Sequence, residues 1–301
     1  MAREVAGRES QLVLGLDPDP SDLWPRARAL ADASGSSQSD PQECAARAVA
    51  AHCSLVIDAV AEQCVAVKLQ LACFERLGPP GWAALVDAAR CASDRGLLVI
   101  ADAKRGDIDI TASAYAQAFL GDTPTPYGVV EGLASDALTV NPLLGRDSLE
   151  PMILWARQRG RGLFVLVRTS NPGAADVQDL VLADGSTVSD RLAAIVVQLG
   201  AGGIGSAGLA DVGAVVGATA PERLAGLRER MPQTIYLLPG VGAQGGKVED
   251  LAAAFAPGRA GALVSASRGI VGAHNRTGGE PQVAAQRAAA RLRQLAWSLA
   301  P

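Results

Sequence analysis

Val99-Ile100-Ala101-Asp102-Ala103-Lys104-Arg105-Gly106-Asp107-Ile108 begins as an unbroken apolar run and ends in alternating carboxylates and cations. A parallel strand covered by helices on both faces reads as a continuous apolar run, without polar alternation. Here such a strand runs out into charge, so it carries polar groups to one edge of a sheet. Asp102 and Lys104 stand two apart and share a face, with Asp107 a short turn further on. A solvated charged turn would read the same over these residues alone, because charged side chains usually end exposed. The surrounding sequence weighs between the two.

The same kind of run recurs at 11–17, 64–70, 137–141, 162–168, 212–217, 235–239 and 261–266, which with 96–103 makes eight. Most are followed by a turn signal and a helix-length stretch, at 41–62, 82–94, 110–119, 147–159, 188–199, 221–230 and 282–300. The stretch from 147 opens with Asp147-Ser148 and keeps Leu149, Ile153 and Ala156 on one face, while Pro221 suits a first helical turn. Eight β-then-α units predict an α/β fold, a (β/α)8 TIM barrel spanning residues 1–301 as a single domain. A doubly wound open sheet would also alternate. It usually has about five or six strands and a Gly-rich first turn, which Leu14-Gly15-Leu16-Asp17-Pro18-Asp19 does not supply. A small polar loop at 33–40 and a long connection at 121–135 interrupt the spacing without dividing the chain.

Composition narrows the classes of function. The 301 residues are 49% hydrophobic and 19% charged, which suits a globular α/β enzyme. A formal charge of −4 leaves no basic footprint, so no nucleic-acid partner is expected. No apolar run reaches the roughly 18 residues of a membrane span, and the first residues carry no apolar signal core, so a soluble cytoplasmic protein is expected. Cys44, Cys53, Cys64, Cys73 and Cys91 form no C-x-x-C pair and read as reduced thiols. Only two histidines are present, which argues against a histidine-built metal site; His52 reads as structural, and His274 follows the last strand.

Chemistry in such a barrel sits where strands end and the following loops begin. Asp17 ends the first run, Lys68 the second, Asp102 and Lys104 the third, Asn141 the fourth and Thr169-Ser170-Asn171 the fifth, while Gln244 follows the seventh and Arg268 the eighth. The last two belong to Pro239-Gly240-Val241-Gly242-Ala243-Gln244-Gly245-Gly246 and Ser265-Ala266-Ser267-Arg268-Gly269-Ile270. Glycines alone more often just make turns. Backbone amides converging with a guanidinium at these two barrel positions instead argue for a phosphate.

Asp102-x-Lys104-x-x-Asp107 with Ile108 and Thr111, the Pro239–Gly246 segment and Ser267-Arg268-Gly269 resemble the orotidine 5′-phosphate decarboxylase family over nearly the whole chain. Thr139-Val140-Asn141-Pro142, Arg168-Thr169-Ser170-Asn171-Pro172-Gly173 and Val216-Gly217-Ala218-Thr219 are similar to its long bacterial (type 2) branch, with Leu143 where that pattern has an aromatic. The resemblance implies decarboxylation of orotidine 5′-phosphate to UMP, the last step of de novo pyrimidine nucleotide synthesis, without metal or cofactor, in a homodimer with shared sites. It implies that Asp17 and Lys68 hold ribose hydroxyls, Lys68 also joining the charged array, and that Asp102 faces the substrate carboxylate. Lys104 would protonate C6, and Asp107, Ile108 and Thr111 would reach into the neighbouring subunit's site. Ser170 would meet the base edge, and Gln244 and Arg268 the phosphate.

The chemistry of the residues agrees. Decarboxylation leaves an electron pair in the ring plane, beyond the reach of the π system, so stabilisation must be electrostatic and a proton donor must be close. A lysine supplies both. A related sugar-phosphate lyase shares the Asp-x-Lys-x-x-Asp strand end but usually carries a glutamate after strand two, where this chain has Lys68. A silent nucleotide-binding barrel would need no proton donor.

Overall fold

The computed structural model describes residues 1–34 and 40–300. Its strands are β1 (Leu12–Leu16), β2 (Ala66–Gln70), β3 (Leu98–Arg105), β4 (Asp122–Thr125), β5 (Gly128–Glu131), β6 (Ala137–Val140), β7 (Gly162–Arg168), β8 (Val212–Val216), β9 (Tyr236–Leu238) and β10 (Ala262–Ala266). All but β4 and β5 form one closed parallel barrel in the order β1-β2-β3-β6-β7-β8-β9-β10, with β10 pairing back onto β1. Each of the eight apolar runs is a barrel strand.

The reason lies in two apolar layers. Leu12, Leu14 and Leu16 of β1 point outward into the core shared with the surrounding helices. Val13 points inward, where it joins Ile100, Phe164, Val215, Leu237 and Leu263 in the barrel's interior. A strand buried on both faces has no polar side to alternate with. The helix Ala2–Arg8 closes the N-terminal mouth: Val5 enters the inner core, and the Arg8 guanidinium donates to the carbonyls of Ala61 (3.0 Å), Arg95 (2.9 Å) and Gly96 (2.8 Å). A cavity of about 420 Å³ remains between this helix and the strand starts, but the charged strand ends gather at the opposite, C-terminal mouth.

The expected helices appear as Pro41–Val60, Gly78–Asp94, Asp109–Leu120, Glu150–Gln158, Val188–Gly200, Leu224–Arg230 and Pro281–Leu299. Three details differ from the sequence reading. The fourth helix starts at Glu150 rather than 147, because the Ser148 hydroxyl donates to Gly145 O (2.6 Å) instead of capping; Leu149, Ile153 and Ala156 are buried all the same. Pro221 opens a tight 3-10 turn, Pro221–Arg223, that leads into its helix. The connection at 121–135 holds the β4–β5 hairpin, whose four-residue strands are too short for a period to show. Of the polar loop at 33–40, Ala33 and Ser34 end the helix Pro25–Ser34, and residues 35–39 lie outside the described residues. Among the described residues no helix is long and apolar enough to cross a membrane, and no disulfide joins any of the five cysteines.

Candidate active site

A cavity of about 380 Å³ opens at the C-terminal mouth, and Asp17, Lys68, Asp102, Lys104, Ser170, Gln244 and Arg268 all line it. Four different strand ends, those of β1, β2, β3 and β10, thus bring the carboxylates, ammonium groups and guanidinium to one place. β3 carries the centre of it and departs from regular pairing there. Ala101 pairs with Leu138 and Arg105 with Val140, so residues 102–104 stand opposite Thr139 alone. Lys104 sits within this bulge at φ 50°, in the left-handed region that L side chains rarely adopt. Bulges re-aim side chains beside functional sites, and this one turns Lys104 into the cavity.

The charges form a chain. Asp17 Oδ1 lies 3.9 Å from Lys68 Nζ, which donates to Asp102 Oδ2 at 2.5 Å; Lys104 Nζ donates to Asp102 Oδ1 at 2.6 Å. Gln70 Nε2 (3.4 Å) and the Thr139 hydroxyl (2.8 Å) also donate to the Asp102 carboxylate. The Lys68 and Asp102 side chains are only 9% and 7% exposed, whereas that of Lys104 is 44% exposed. Burial alone would raise the Asp102 pKa, but the two lysines outweigh it and hold the carboxyl well below the usual carboxylate range. Burial likewise opposes the charge on Lys68, and the Asp102 and Asp17 carboxylates overcome it, so its pKa stands above the ordinary lysine value. The result is a fixed buried pair with one ammonium left facing the cavity.

At the other end, Gln244 and Arg268 share the wall with Gly240 and Ser267. Gly240 has φ 99°, and a Cβ there would come within 3.0 Å of Ser170 Cβ and 3.1 Å of Gln244 Oε1. Glycine is therefore what lets the loops after β7 and β9 meet. The Ser170 loop is pinned from outside: Thr219 donates to Ser170 O (2.9 Å), Gln178 Oε1 accepts from Thr169 N (2.7 Å), and Arg168 pairs with Asp179 at 3.0 Å. Arg268 makes no ion pair among the described residues, which leaves its charge for a ligand.

Other sequence candidates fall elsewhere. Asp107, Ile108 and Thr111 do not line this chain's cavity; Asp107 Oδ1 accepts from Ile108 N at 2.8 Å, and Ile108 is 50% exposed. Asn141 is a turn residue whose Oδ1 accepts from Leu143 N at 3.0 Å. His52 is buried and accepts from Trp24 N at 3.1 Å, with burial pushing its pKa down to about 4. His274 stands edge-on to Trp24 in an adjoining pocket that shares Asp17 and Arg268 with the candidate-site cavity. Gln70 and Thr139 are site residues that the sequence reading does not single out. Their part depends on which residues face each other across β2, β3 and β6, and strand register is not printed in a sequence.

A profile of the "Orotidine 5'-phosphate decarboxylase / HUMPS family" matches residues 10–280. The chain belongs to this family. The orotidine 5′-phosphate decarboxylase of Rhodopirellula baltica is 46% identical over 266 residues, covering 87% of this chain and 84% of that protein. That of Deinococcus radiodurans is 48% identical over 216 residues, covering 71% and 74%. Among solved structures, a putative orotidine 5′-phosphate decarboxylase from Streptomyces avermitilis superposes with a TM-score of 0.75 at 34% identity, covering 99% of this chain and 93% of that one. The OMP decarboxylase of Leishmania donovani gives 0.72 at 30% identity, with 98% of each chain covered. These decarboxylases share the barrel over its whole length.

Proposed function

We propose that this decarboxylase family member converts orotidine 5′-phosphate to UMP by electrostatics and a single proton transfer, with Lys104 as donor and Lys68, Asp102 and Asp107 completing the charged array. Identity of 46% to a named orotidine 5′-phosphate decarboxylase over most of both chains supports the reaction. The observation that carries the assignment of roles is the Lys68–Asp102–Lys104 chain at one end of a cavity whose other end holds Gln244 and Arg268. The bond between C6 and the carboxylate breaks heterolytically, carbon dioxide departs, and the electron pair stays on C6. The Lys104 ammonium stabilises that pair as it forms and then gives it a proton. Its neutral amine is reprotonated from solvent.

Each remaining residue has a physical reason for its part. Asp102, fixed by four donors, holds the ammonium at 2.6 Å and meets the substrate carboxylate. Lys68 and Asp17 lie side by side, one donor and one acceptor, as two ribose hydroxyls require. Ser170 meets the base edge. Gln244 and Arg268 take the phosphate, whose remote binding energy serves the reacting centre. Charge and proton both come from side chains, so turnover is expected to survive excess chelator, followed as the loss of ultraviolet absorbance of orotidine 5′-phosphate. Activity that vanishes in chelator and returns with a divalent cation would sink this reading, as would UMP binding without turnover.

The same reading makes the protein a cytoplasmic homodimer with shared sites. Five cysteines with no disulfide among the described residues suit a reducing compartment. Asp107, Ile108 and Thr111 stand outside their own cavity, beside Ile110 (86% exposed) and near Leu143 (79% exposed), since Gly106 abuts Asn141. Apolar residues this exposed are the kind a partner covers. Mixing Lys104→Ala and Asp107→Ala chains is expected to recover about one quarter of wild-type activity, because half of randomly mixed dimers are hybrids and each hybrid has one intact site. No recovery after verified subunit exchange would count against the shared site.

A further inference from the structure

We propose that Thr139 is a positioning residue for the Lys104–Asp102 couple, one hydroxyl both orienting the carboxylate and holding the Lys104 backbone in the turn that aims its ammonium. The inference rests on the role of Lys104 argued above. Thr139 lies on β6 opposite the bulge, where β3 gives up its ladder between Ala101 and Arg105. An amide released from a ladder inside a protein needs another acceptor. Lys104 N finds it in Thr139 Oγ1 at 3.0 Å. The same oxygen donates its hydrogen to Asp102 Oδ1 at 2.8 Å. A hydroxyl has one hydrogen and two lone pairs, so both bonds can exist together.

Among the described residues, no other side chain hydrogen-bonds both partners of the couple through a single atom. Gln70 and Lys68 reach Asp102 Oδ2 only. Thr139 is 1% exposed and lines the cavity wall, so its own side chain fills the place from which both groups are met. The ladder resumes at once beyond it, with Asn141 N donating to Arg105 O at 2.7 Å. The left-handed residue is therefore held between paired backbone on one side and the threonine hydroxyl on the other. Removing the hydroxyl leaves Asp102 held at Oδ2 by Lys68 and Gln70, but it releases the Lys104 backbone and the Oδ1 side of the carboxylate, so the ammonium can shift away from where C6 must lie.

Thr139→Val keeps the shape and deletes the hydroxyl. It is expected to lower kcat about 100-fold, the scale of a misplacement near 1 Å, while UMP affinity stays within about threefold of wild type because the ligand's own contacts remain. Thr139→Ser restores the hydroxyl and is expected to recover kcat to within a few fold. Thr139→Cys, close in shape with a weak donor, falls between them, and it keeps the test open should the valine variant fold poorly. An ordering of kcat as Thr, Ser, Cys, Val at constant UMP affinity supports positioning. A valine variant with wild-type kcat overturns it, and so does a loss in kcat matched by lost UMP binding and not rescued by serine. Wild-type protein that leaves orotidine 5′-phosphate intact would instead defeat the underlying reading, which separates the two failures.

Discussion

Lys104→Ala is expected to lower kcat by at least about 10⁴-fold while UMP still binds. General acid catalysis is worth about 10²–10⁴, and one well-placed electrostatic group a further 10²–10³ or so; Lys104 is asked to supply both. The fold has little at stake, since the side chain is 44% exposed and its one ion pair among the described residues is with Asp102. After truncation Asp102 keeps Lys68, Gln70 and Thr139, so the carboxylate stays where it is. Lys104→Arg is expected to fail nearly as badly. A guanidinium retains the charge but does not give up its proton in a protein, so the arginine variant separates stabilisation of the carbanion from protonation. Single-turnover loss of substrate absorbance, read beside a UMP titration, decides the matter. A Lys104→Ala enzyme within about tenfold of wild type would remove this lysine as the donor.

The parts of this protein that were legible are those where composition alone carries the physics. A barrel strand must be apolar on both faces, so eight short unbroken runs stand out against their surroundings. A charged or polar residue at the end of such a run has nowhere to go but the mouth, which is why the sequence alone groups Asp17, Lys68, Asp102, Lys104, Gln244 and Arg268. What stayed hidden depends on partners distant in sequence. Thr139 reads as one more β-branched strand residue until the register shift of β3 sets it against three residues. The N-terminal helix carries a single buried anchor, Val5, too little for a period. The β4–β5 hairpin contains a proline in one strand and a glycine in the other, the residues that ordinarily argue against a strand.

Asp102→Asn is the change expected to damage fold and reaction together. The carboxylate separates two ammonium groups, at 2.5 and 2.6 Å. Replacing it by an amide leaves Lys68 buried, with Asp17 at 3.9 Å as its remaining ion-pair partner. Breaking one side of a buried ion pair costs about 3–5 kcal/mol, and Lys104 loses the anchor that points it at C6, so a fall in kcat of at least about 100-fold accompanies the loss of stability. The pH dependence separates the causes. In the wild type the depressed Asp102 pKa contributes stability that is present above the ordinary carboxyl value of 3.8 and lost as pH falls below it. The raised Lys68 pKa contributes stability that is present below 10.5 and lost as pH rises beyond it. Between those limits the pair adds no slope. In Asp102→Asn, burial is the dominant influence left on Lys68 and favours its neutral form, so the unfolded chain binds the extra proton and stability rises with pH on the approach to 10.5. Denaturant unfolding at several pH values reads this slope directly; a flat profile with unchanged midpoint would mean that Asp102 is not what holds Lys68 charged. Adding Lys68→Met to the asparagine variant removes the stranded cation and is expected to return most of the lost stability and the flat profile. It returns none of the activity, because Lys104 still lacks its carboxylate: the buried pair can be dispensed with by the fold, and not by the reaction.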